Sequence, residues 1–260
     1  MRLYSLGSGS SGNAFVLVTD AVSLFIDCGV AMRTCRSALR DLGALHPVAG
    51  IVVSHEHSDH IRAIPSVLRW TDCPVVTTPG TYAGLRSNAR WSQRRSGERY
   101  AEGPVEVTFI GVSHDAAEPC GFVIDADGTR VAVFTDLGVA SEAVLDAMRG
   151  ADIVVLESNY DSGMLRSGHY PARLKRRIQG PLGHLSNDDC ATALVATVSD
   201  RTRSIWLAHL SHNNNHADIA LAGAQEALRL AGLGTPVQAL PRYETIEITG
   251  QGTRQTSLGL

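Results

Sequence analysis

The sequence predicts an α/β fold in which two mixed β-sheets are flanked by helices, and three features support this prediction. Early strand-like runs are joined by tight turns such as VTDAVS, and later DADG, which favour hairpins and antiparallel pairing. Later strand-like runs alternate with helical segments. The 260 residues, 44% of them hydrophobic, can bury one substantial core, and no linker or internal repeat divides them. We therefore expect a single domain over residues 1–260.

The predicted strands are short, mostly apolar runs bounded by turn-forming residues. RLYSL, FVLV and SLFID open the chain, and the uninterrupted apolar run GIVVS predicts a buried strand. The strands predicted on this basis span residues 2–6, 15–18, 23–27, 50–53, 75–77, 105–110, 121–125, 130–134, 152–156 and 204–207, with two more near Val237 and Ile246.

The predicted helices carry apolar residues at three- and four-residue spacing. In IRAIPSVLRW, for example, Ile61, Ile64, Val67 and Leu68 recur in this way. The predicted helices span residues 32–42, 61–69, 141–149, 171–178, 187–198 and 217–230. They are expected to cover the two sheets, because a sheet must bury its apolar face against another layer.

Composition excludes several classes of protein. No apolar run reaches 18 residues, so we expect no membrane span, and the first residues, MRLYSLGSGSSG, lack the apolar segment of a secretory signal. The five cysteines are odd in number and form no C-x-x-C pair, which argues against a disulfide framework and against a thiolate zinc site. These features indicate a cytoplasmic protein. The net charge of -3 means that any affinity for nucleic acid must come from local patches and metals.

The stretch SHEHSDH places four possible metal ligands, His55, His57, Asp59 and His60, within six residues. In an extended segment His55 and His57 point the same way, because alternate residues share a face. If the chain then turns into a helix, Asp59 and His60 leave that face and reach a second point. Packing three imidazoles and a carboxylate together without a cation would leave buried polar groups unpaired. The motif therefore predicts two adjacent metals at the carboxyl end of a strand.

Further ligands are expected directly after other strands, where loops converge. His114, in FIGVSHD, follows the strand predicted at 105–110, Asp136 follows the strand at 130–134, and His209 follows the strand at 204–207. All three have the same topological position as His55. Asp136 suits a bridging role, because the two oxygens of a carboxylate can bind two cations.

The ordered set of SHEHSDH, His114, Asp136 and His209 resembles the metallo-β-lactamase superfamily over nearly the whole chain. Other stretches resemble its YycJ/WalJ-type branch, described as exonuclease-like: SLGSGSSGNAF, FIDCG, TDLG, LESNYD, YPARLKRRIQGPLGHLSN and AHLSHNN. The resemblance implies an αββα sandwich that holds two metals at one edge of its sheets. It also implies two ligand triplets and a bridging acid, namely His55, His57 and His114, then Asp59, His60 and His209, and finally Asp136.

Two further motifs have a functional and a purely structural interpretation. Asp27, in FIDCG, matches a position that steadies the histidine loop in the superfamily, and its alternative is a plain turn acid. The segment SGSSG, Ser8 to Gly12, is small enough for backbone N–H groups to approach a phosphate, and its alternative is a plain hairpin turn.

His184, in GHLSN, is the residue that discriminates between reactions. Two metals about 3.5 to 4 Å apart can share a hydroxide and clamp an in-line displacement at phosphorus, but they can also open lactams, thioesters and lactones. His184 precedes a predicted helix and resembles the histidine that ribonuclease Z and related phosphodiesterases use at the scissile phosphate. A departing alkoxide needs a proton, which an imidazolium supplies, whereas a thioester needs none. We therefore expect His184 to be a general acid; the alternative is a hydrogen-bonding residue at a helix N-terminus.

Two basic clusters are candidates for gripping a polyanion, and the alternative for each is a solvated helix face. In LRSNARWSQRRSGERY, arginines at near-helical spacing surround Trp91, which would either stack on a base or pack the helix to the core. The clusters are Arg86, Arg90, Arg94 and Arg95, and in RLKRRIQG Arg173, Lys175, Arg176 and Arg177. The residues that we expect to contact substrate are Ser10, Ser11, Asn13, Arg90, Arg94, Arg95, Lys175, Arg176 and Asn213.

These features predict a hydrolase of phosphodiesters that uses two divalent metals, most simply a 5′–3′ exonuclease-like enzyme acting on single-stranded or duplex nucleic acid. A metal-bridged hydroxide would attack, with His184, Asp59 and Asp136 as the catalytic residues. Histidine and carboxylate ligands suit zinc, manganese or iron. The alternatives are a phosphodiesterase of cyclic nucleotides or cyclic sugar phosphates, a thioester or lactone hydrolase of the same fold, and a metal-binding regulatory protein without turnover. The sequence carries no signal for an oligomeric state.

Overall fold

Two mixed sheets lie at the centre of the structure, a computed structural model that describes residues 1–42, 47–85 and 90–249, with only the backbone of Leu42. The strands are β1 Arg2–Gly7, β2 Ala14–Val18, β3 Ser23–Ile26, β4 Val48–Val52, β5 Val75–Thr77, β6 Trp91–Gln93, β7 Arg99–Glu102, β8 Val105–Gly111, β9 Cys120–Ala126, β10 Thr129–Phe134, β11 Ile153–Glu157, β12 Ser204–Ala208, β13 Val237–Ala239 and β14 Ile246–Ile248. The helices are α1 Met32–Leu42, α2 Ser58–Ile61, α3 Ile64–Val67, α4 Pro79–Gly84, α5 Glu142–Met148, α6 Ser162–Ser167, α7 Ala172–Gln179, α8 Asn187–Thr197 and α9 Ala217–Leu230.

Each sheet has an antiparallel half and a parallel half. The strand order is β14-β1-β2-β3-β4-β5-β6 in the first sheet and β13-β12-β11-β10-β9-β8-β7 in the second. Strands β3 to β6 are parallel to one another, and so are β10 to β13. The carboxyl ends of parallel strands meet at one edge of a sheet, where loops are free to carry functional side chains.

Three apolar clusters divide the structure into four layers. Phe15, Phe109, Phe122 and Trp206 lie in the cluster between the two sheets. A second cluster packs α5, α8 and α9 on the outer face of the second sheet, and a third packs α1 and α3 on the first. The predicted αββα sandwich is therefore confirmed. Because both faces of each sheet are apolar, each sheet packs against the other sheet on one face and against helices on the opposite face.

The helix predicted at 61–69 is two short helices, α2 and α3. At the break, the N–H of Ala63 bonds to the carbonyl of Cys28 at 2.7 Å, and Pro65 lies in the first turn of α3, where its missing N–H costs nothing. The prediction of one continuous helix was wrong because this tertiary hydrogen bond and the proline favour a new start. Since α2 already begins at Ser58, it carries both Asp59 and His60.

The arginine-rich segment forms a strand in its described part, although the near-helical spacing of its arginines had suggested a helix face. Trp91 to Gln93 pair with Val75 to Thr77 as β6, parallel to β5. Hydrogen bonds to the open edge of β5 outweigh the helical spacing of the arginines, because local propensity is a weak prior against tertiary pairing. Arg86 lies outside the described residues.

Several short elements escaped the sequence prediction, namely β7, α4 and α6. Thr78 and Asp161 cap α4 and α6 through side-chain bonds to Thr81 N–H and Met164 N–H, but each helix has only six residues, too few for a periodic apolar pattern. Within the described ranges, none of the helices has the length and apolar character needed to cross a membrane.

Candidate metal and active site

The predicted ligands converge at the edge where the parallel strands end. His55, His57, Asp59 and His60 follow β4, and the other three follow β8, β10 and β12. The alternation of a strand had suggested that His55 and His57 would continue β4. They do not, because β4 ends at Val52. His55 and His57 lie in the loop before α2, and that loop still turns both rings to one side.

The first predicted triplet is brought together. Ligand atoms of His55, His57 and His114 lie within 4.8 Å of one another. His114 Nδ1 is 3.0 Å from the carbonyl of Gly183, so Nδ1 carries the proton and Nε2 faces the cluster, 3.3 Å from His57 Nδ1. A backbone carbonyl that orients an imidazole in this way is the usual partner of a metal-binding histidine.

The second predicted triplet, Asp59, His60 and His209, also lies within 4.8 Å. Asp59 Oδ2 is 3.8 Å from His60 Nε2 and 3.7 Å from His209 Nε2. Because both rings present Nε2 to the same carboxylate oxygen, the three groups surround one point.

Asp136 lies between the two triplets. Its Oδ2 is 3.1 Å from His60 Nε2, and its Oδ1 is 3.8 Å from His114 Nε2 and 3.5 Å from His209 Nδ1. One carboxylate therefore reaches a member of each triplet. Its backbone has φ 56°, in the left-handed region that non-glycine residues rarely adopt. A strained conformation of this kind persists only where the surrounding structure imposes it.

Buried atoms without hydrogen-bond partners test whether the cluster fits a cation. Among the described residues these atoms include His55 Nε2, His209 Nε2 and Asp136 Oδ2. Leaving such atoms unpaired costs about 1 to 3 kcal/mol each, so a native cluster of them indicates a missing partner. All three are lone-pair donors that face the same space, and nitrogen and carboxylate oxygen are ligands of divalent metals. The residues fit divalent metal binding.

Charges within the cluster shift its titration. Burial opposes protonation of His209, but the charge of Asp136, the nearby carboxylate of Asp59 and the hydrogen bond with Glu157 raise its pKa to about 10. Burial also opposes ionisation of Asp136, yet the charges of His209 and His60 hold its pKa well below the ordinary range. In the metal-free protein, protons thus supply the positive charge that the carboxylates require.

Asp27 hydrogen-bonds the ring nitrogen of His60 that faces away from the cluster. Its Oδ2 is 2.7 Å from His60 Nδ1 and accepts the Ser54 hydroxyl at 2.8 Å, while its Oδ1 accepts the Ser54 N–H at 2.8 Å. Since an ionised carboxylate only accepts, His60 Nδ1 carries the proton and Nε2 turns toward Asp136. Asp27 has φ 56°, immediately after β3, so it is more than a plain turn acid.

Glu157, which the sequence prediction missed, connects two histidines. Its Oε1 is 2.8 Å from both His184 Nδ1 and His209 Nδ1, and its Oε2 accepts the N–H groups of Leu137 and Leu185 at 2.9 and 3.3 Å. The carboxylate has no exposed surface. A signal was available in IVVLE, where an acid ends a wholly buried strand, β11, in the same topological position as the metal ligands.

His184 lies at the rim of the cluster, with 23% of its side chain exposed. Its Nδ1 is also 3.7 Å from Asp136 Oδ1, so ligand atoms of His184, Glu157, His209 and Asp136 form a group that could hold a metal. These atoms are already linked through Glu157 at hydrogen-bond distances, which makes the group a proton network. Burial lowers the pKa of His184, but the charge and hydrogen bond of Glu157 outweigh this and raise it.

The turn after β1 exposes the predicted serines but not the predicted asparagine. Ser10 and Ser11 are exposed at its tip, and Ser8 Oγ accepts the N–H of His209 at 2.8 Å. Asn13 is wholly buried, with Nδ2 3.1 Å from His60 Nε2 and Oδ1 accepting the Gly9 N–H. That Asn13 contacts substrate stays a prediction; in the structure its amide is buried against His60 Nε2, the ring nitrogen that faces the cluster.

The first basic cluster lies at the same edge as the metal ligands. Arg94 and Arg95 directly follow β6, two strands from β4, roughly 10 Å away. Arg94 donates to the carbonyls of Arg99 and Gln93, both at 2.7 Å, whereas Arg95 is exposed. Arg90 Nη2 lies 3.4 Å from the carbonyl of Asp72, before β6. The ring of Trp91 packs edge-on against Tyr82 at 4.9 Å, as expected for a packing role.

The second basic cluster lies on α7, and its members differ in what they contact. Lys175 Nζ donates to the carbonyl of Arg166 at 2.7 Å, while Arg176 is exposed. Arg177, rather than these two, faces the site, where Nε and Nη2 each lie 2.6 Å from Asp115 Oδ2. The predicted helix is confirmed, but only its geometry identifies which basic side chain lies beside the metal ligands.

Comparison with known proteins identifies similar chains. The family model described as "Beta-lactamase superfamily domain" matches residues 23–209. An exodeoxyribonuclease YycJ of Bacillus anthracis is 36% identical over 236 residues, which are 88% of this chain and 89% of that protein. An exodeoxyribonuclease WalJ of Streptococcus pneumoniae serotype 2 is 33% identical over 241 residues, 89% of this chain and 90% of that one.

Among solved structures, the metallo-β-lactamase fold protein YhfI of Bacillus subtilis superposes with a TM-score of 0.71 at 14% identity, covering 94% of this chain and 98% of that chain. This likeness bears on the arrangement of sheets and helices alone.

Proposed function

The chain belongs to the β-lactamase superfamily and to its YycJ/WalJ-type branch, and on that premise we propose that it is a metal-dependent exonuclease that removes nucleotides from DNA in the 5′–3′ direction. One observation carries the assignment to phosphodiester chemistry: His184 is held at the rim of the two ligand triplets by the buried carboxylate of Glu157. Hydrolases of activated esters need no such positioned acid.

The two triplets support a site for two divalent ions, one on His55, His57 and His114 and one on Asp59, His60 and His209, with Asp136 between them. Bound there, the ions would lower the pKa of a water molecule and neutralise charge on the phosphate. Zinc or manganese suits the imidazole and carboxylate donors, and iron is a further candidate. Asp27 and Glu157 fix the orientation of His60 and His209 through the ring nitrogens that face away from the cluster.

His184 acts as the general acid toward the departing oxygen. Glu157 engages Nδ1, which leaves Nε2 as the ring nitrogen that can donate. Glu157 raises the pKa of His184, which favours the protonated imidazolium that a general acid requires. Proton donation of this kind contributes typically about 10² to 10⁴ in rate.

Two arginines are candidates for contacts with the DNA backbone: Arg95 is exposed just after β6, and Arg177 on α7 pairs with Asp115, next to His114. Ser10 and Ser11, at the tip of the turn after β1, are further candidates. Since the protein has no net positive charge, grip on DNA depends on these few side chains and on the metals.

A reducing compartment, and hence the cytoplasm, suits the cysteines. All five are free and buried, and no pair of them is bridged. Unbridged thiols are usual where glutathione and thioredoxin keep proteins reduced.

A small phosphodiester is the second candidate, and the small volume of the cavity beside His184, about 170 Å³, favours it. A cyclic nucleotide could occupy the same space. The same metals and the same acid would serve both substrates, so only a substrate panel separates them.

The experiment combines metal analysis of the purified protein with end-labelled single- and double-stranded DNA and RNA oligonucleotides. We expect metal-dependent release of mononucleotides from DNA, beginning at the 5′ end and abolished by a chelator. Cleavage of bis(p-nitrophenyl) phosphate or a cyclic nucleotide without cleavage of any oligonucleotide would contradict the nuclease and support the second candidate. Inactivity on all of these by metal-loaded protein would contradict both.

A further inference from the structure

A cavity of about 170 Å³ opens beside His184, between α7 and the turn after β1. One wall is apolar and includes the ring of Tyr170 and the side chains of Leu174 and Ile178. The lining also has polar members, among them Ser10, Arg177 and His184. The proposed general acid is therefore part of the cavity wall.

The apolar wall belongs to a helix face that no protein element covers. None of the residues of α7, all of which the structure describes, is buried. Leu174 and Ile178 are one helical turn apart on the same side, and they line the cavity rather than a core. Tyr170 adds an aromatic surface, and its hydroxyl accepts a hydrogen bond from Asn213 Nδ2 at 2.9 Å, which fixes the ring. An aromatic ring held against two aliphatic side chains suits a flat, apolar ligand.

Hydrogen bonds tie this cavity rigidly to the metal ligands. The N–H of His184 bonds to the carbonyl of Ile178 at 2.9 Å, and His114 bonds to the carbonyl of Gly183, just before His184. On the other side Arg177 is paired with Asp115, whose Oδ1 lies 3.4 Å from His114 Nε2. A ligand in the cavity is thus held at a fixed place relative to a phosphate at the cluster.

We propose that this cavity is the subsite for the single nucleoside that carries the departing oxygen, an inference that rests on the proposed phosphodiester chemistry. Its volume, about 170 Å³, is below the roughly 300 to 1,000 Å³ of pockets for drug-sized ligands, so it is too small for a segment of several nucleotides. The base lies against Tyr170, Leu174 and Ile178. Arg177 has five N–H donors, of which Asp115 engages Nε and Nη2, so Nη1 can bind a phosphate oxygen.

The presence of His184 in the cavity lining indicates which group of the substrate occupies the cavity. His184 donates to the departing oxygen, and the cavity is the space that its imidazole lines, so the group attached to that oxygen enters there. A subsite for one residue also predicts that the products are mononucleotides.

The test measures binding by calorimetry, with metal-loaded protein and three probes: inorganic phosphate, thymidine 3′-monophosphate and thymidine 5′-monophosphate. We expect one isomer to bind at least about tenfold more tightly than phosphate, because base–aromatic stacking alone contributes about 5- to 150-fold. In 5′–3′ removal of mononucleotides the single nucleoside that carries the departing oxygen carries it as O3′, so thymidine 3′-monophosphate is the expected isomer, and tighter binding of thymidine 5′-monophosphate would contradict this placement.

Variants of the wall assign this gain to the cavity. Tyr170→Ala, which removes the ring, and Leu174→Trp, which fills the space, should each weaken binding of the preferred nucleotide toward that of phosphate. Tyr170→Phe keeps the ring and should restore most of the affinity. Gln179→Trp introduces the same bulk on α7 outside the cavity lining and is the matched control. Circular dichroism of each variant excludes loss of the fold.

Two results would overturn the subsite: thymidine nucleotides that bind no tighter than phosphate, or a preferred nucleotide whose affinity survives Leu174→Trp in a folded protein. Either result with intact cleavage of DNA would remove the subsite and leave the nuclease in place. Nucleotide binding that depends on the cavity wall, without cleavage of any oligonucleotide, would support the subsite and contradict the nuclease.

Discussion

His184 Nδ1 lies 2.8 Å from Oε1 of Glu157, a carboxylate without exposed surface. The same oxygen lies 2.8 Å from His209 Nδ1, so one buried charge orients the proposed general acid and a proposed metal ligand together. Burial opposes ionisation of Glu157, yet the charge of His184 and hydrogen bonds from both histidines lower its pKa. Glu157 thus connects the proposed proton donor to a proposed metal ligand.

Glu157→Gln should impair both functions while keeping the size of the side chain. The amide cannot carry the charge that holds the two imidazoles, so we expect a loss of about 10- to 100-fold in metal affinity or activity. The measurements are metal stoichiometry and turnover on a DNA oligonucleotide. Asp152→Asn changes an acid beside the opposite end of β11, where it contacts Arg130, Arg201 and Arg203, and should leave metal content unaltered. Wild-type metal affinity and turnover in Glu157→Gln would refute this role of Glu157.

His184→Ala should slow cleavage according to the leaving group. We expect a loss of about 10² or more for a DNA substrate, whose departing alkoxide needs a proton, and a much smaller loss for a p-nitrophenyl ester, whose leaving group needs no help. Metal content should not change. His212→Ala, at an exposed histidine outside the cluster, is the control. Equal losses on both substrates would eliminate the acid role.

Asp136→Ala should reduce metal content and activity together. Removing the carboxylate leaves His60 and His209 without the charge between them, and the two triplets without their shared neighbour. The measurement is metal per protein by elemental analysis after dialysis. Asp125→Ala removes an exposed acid paired with Arg130 at the far end of the second sheet and serves for comparison. Two retained metal equivalents in the Asp136 variant would rule out the bridge.

Metal binding should release protons and strengthen as the pH rises. In the metal-free protein the pKa of His209 is raised to about 10, so its proton must leave before Nε2 can bind a cation. The same shift stabilises the metal-free fold fully below the unfolded pKa of about 6.5, and this stabilisation is lost as the pH rises through about 10. Titration calorimetry near pH 7.5, in buffers of different ionisation enthalpy, counts the protons. Heats that are independent of the buffer would contradict the prediction.

Arg95→Gln should flatten the salt dependence of DNA binding. Each phosphate contact adds about 0.7 to 0.9 to the slope of log affinity against log salt, so losing one contact should lower the slope by that amount. Binding of a single-stranded oligonucleotide to His184→Ala protein, which should cleave it at least about 10²-fold more slowly, gives the slope. Arg229→Gln removes an exposed charge, paired with Glu226, in the last turn of α9 and should not alter it. An unchanged slope in Arg95→Gln would show that Arg95 does not contact a DNA phosphate.

The sequence by itself determined the fold and the order of the proposed ligands. SHEHSDH puts three imidazoles and an acid within six residues, and His114, Asp136 and His209 each follow a recognisable strand. These signals are local, because a strand, its apolar run and the residue after it are contiguous in the chain. The parallel direction of the strands then brings their carboxyl ends to one edge without further information from the sequence.

Only the tertiary structure decided how these residues are held and which neighbours serve them. Glu157 meets His184 and His209 across 27 and 52 residues of chain, and Asp27 meets His60 across 33, so these contacts form only when distant segments pack together. The left-handed backbone of Asp27, Asp136 and His209 is likewise imposed by the packing of the strand ends, because no isolated segment would favour it. The arginine segment shows the same effect. Its arginines have near-helical spacing, but the open edge of β5 supplies hydrogen bonds that outweigh that preference.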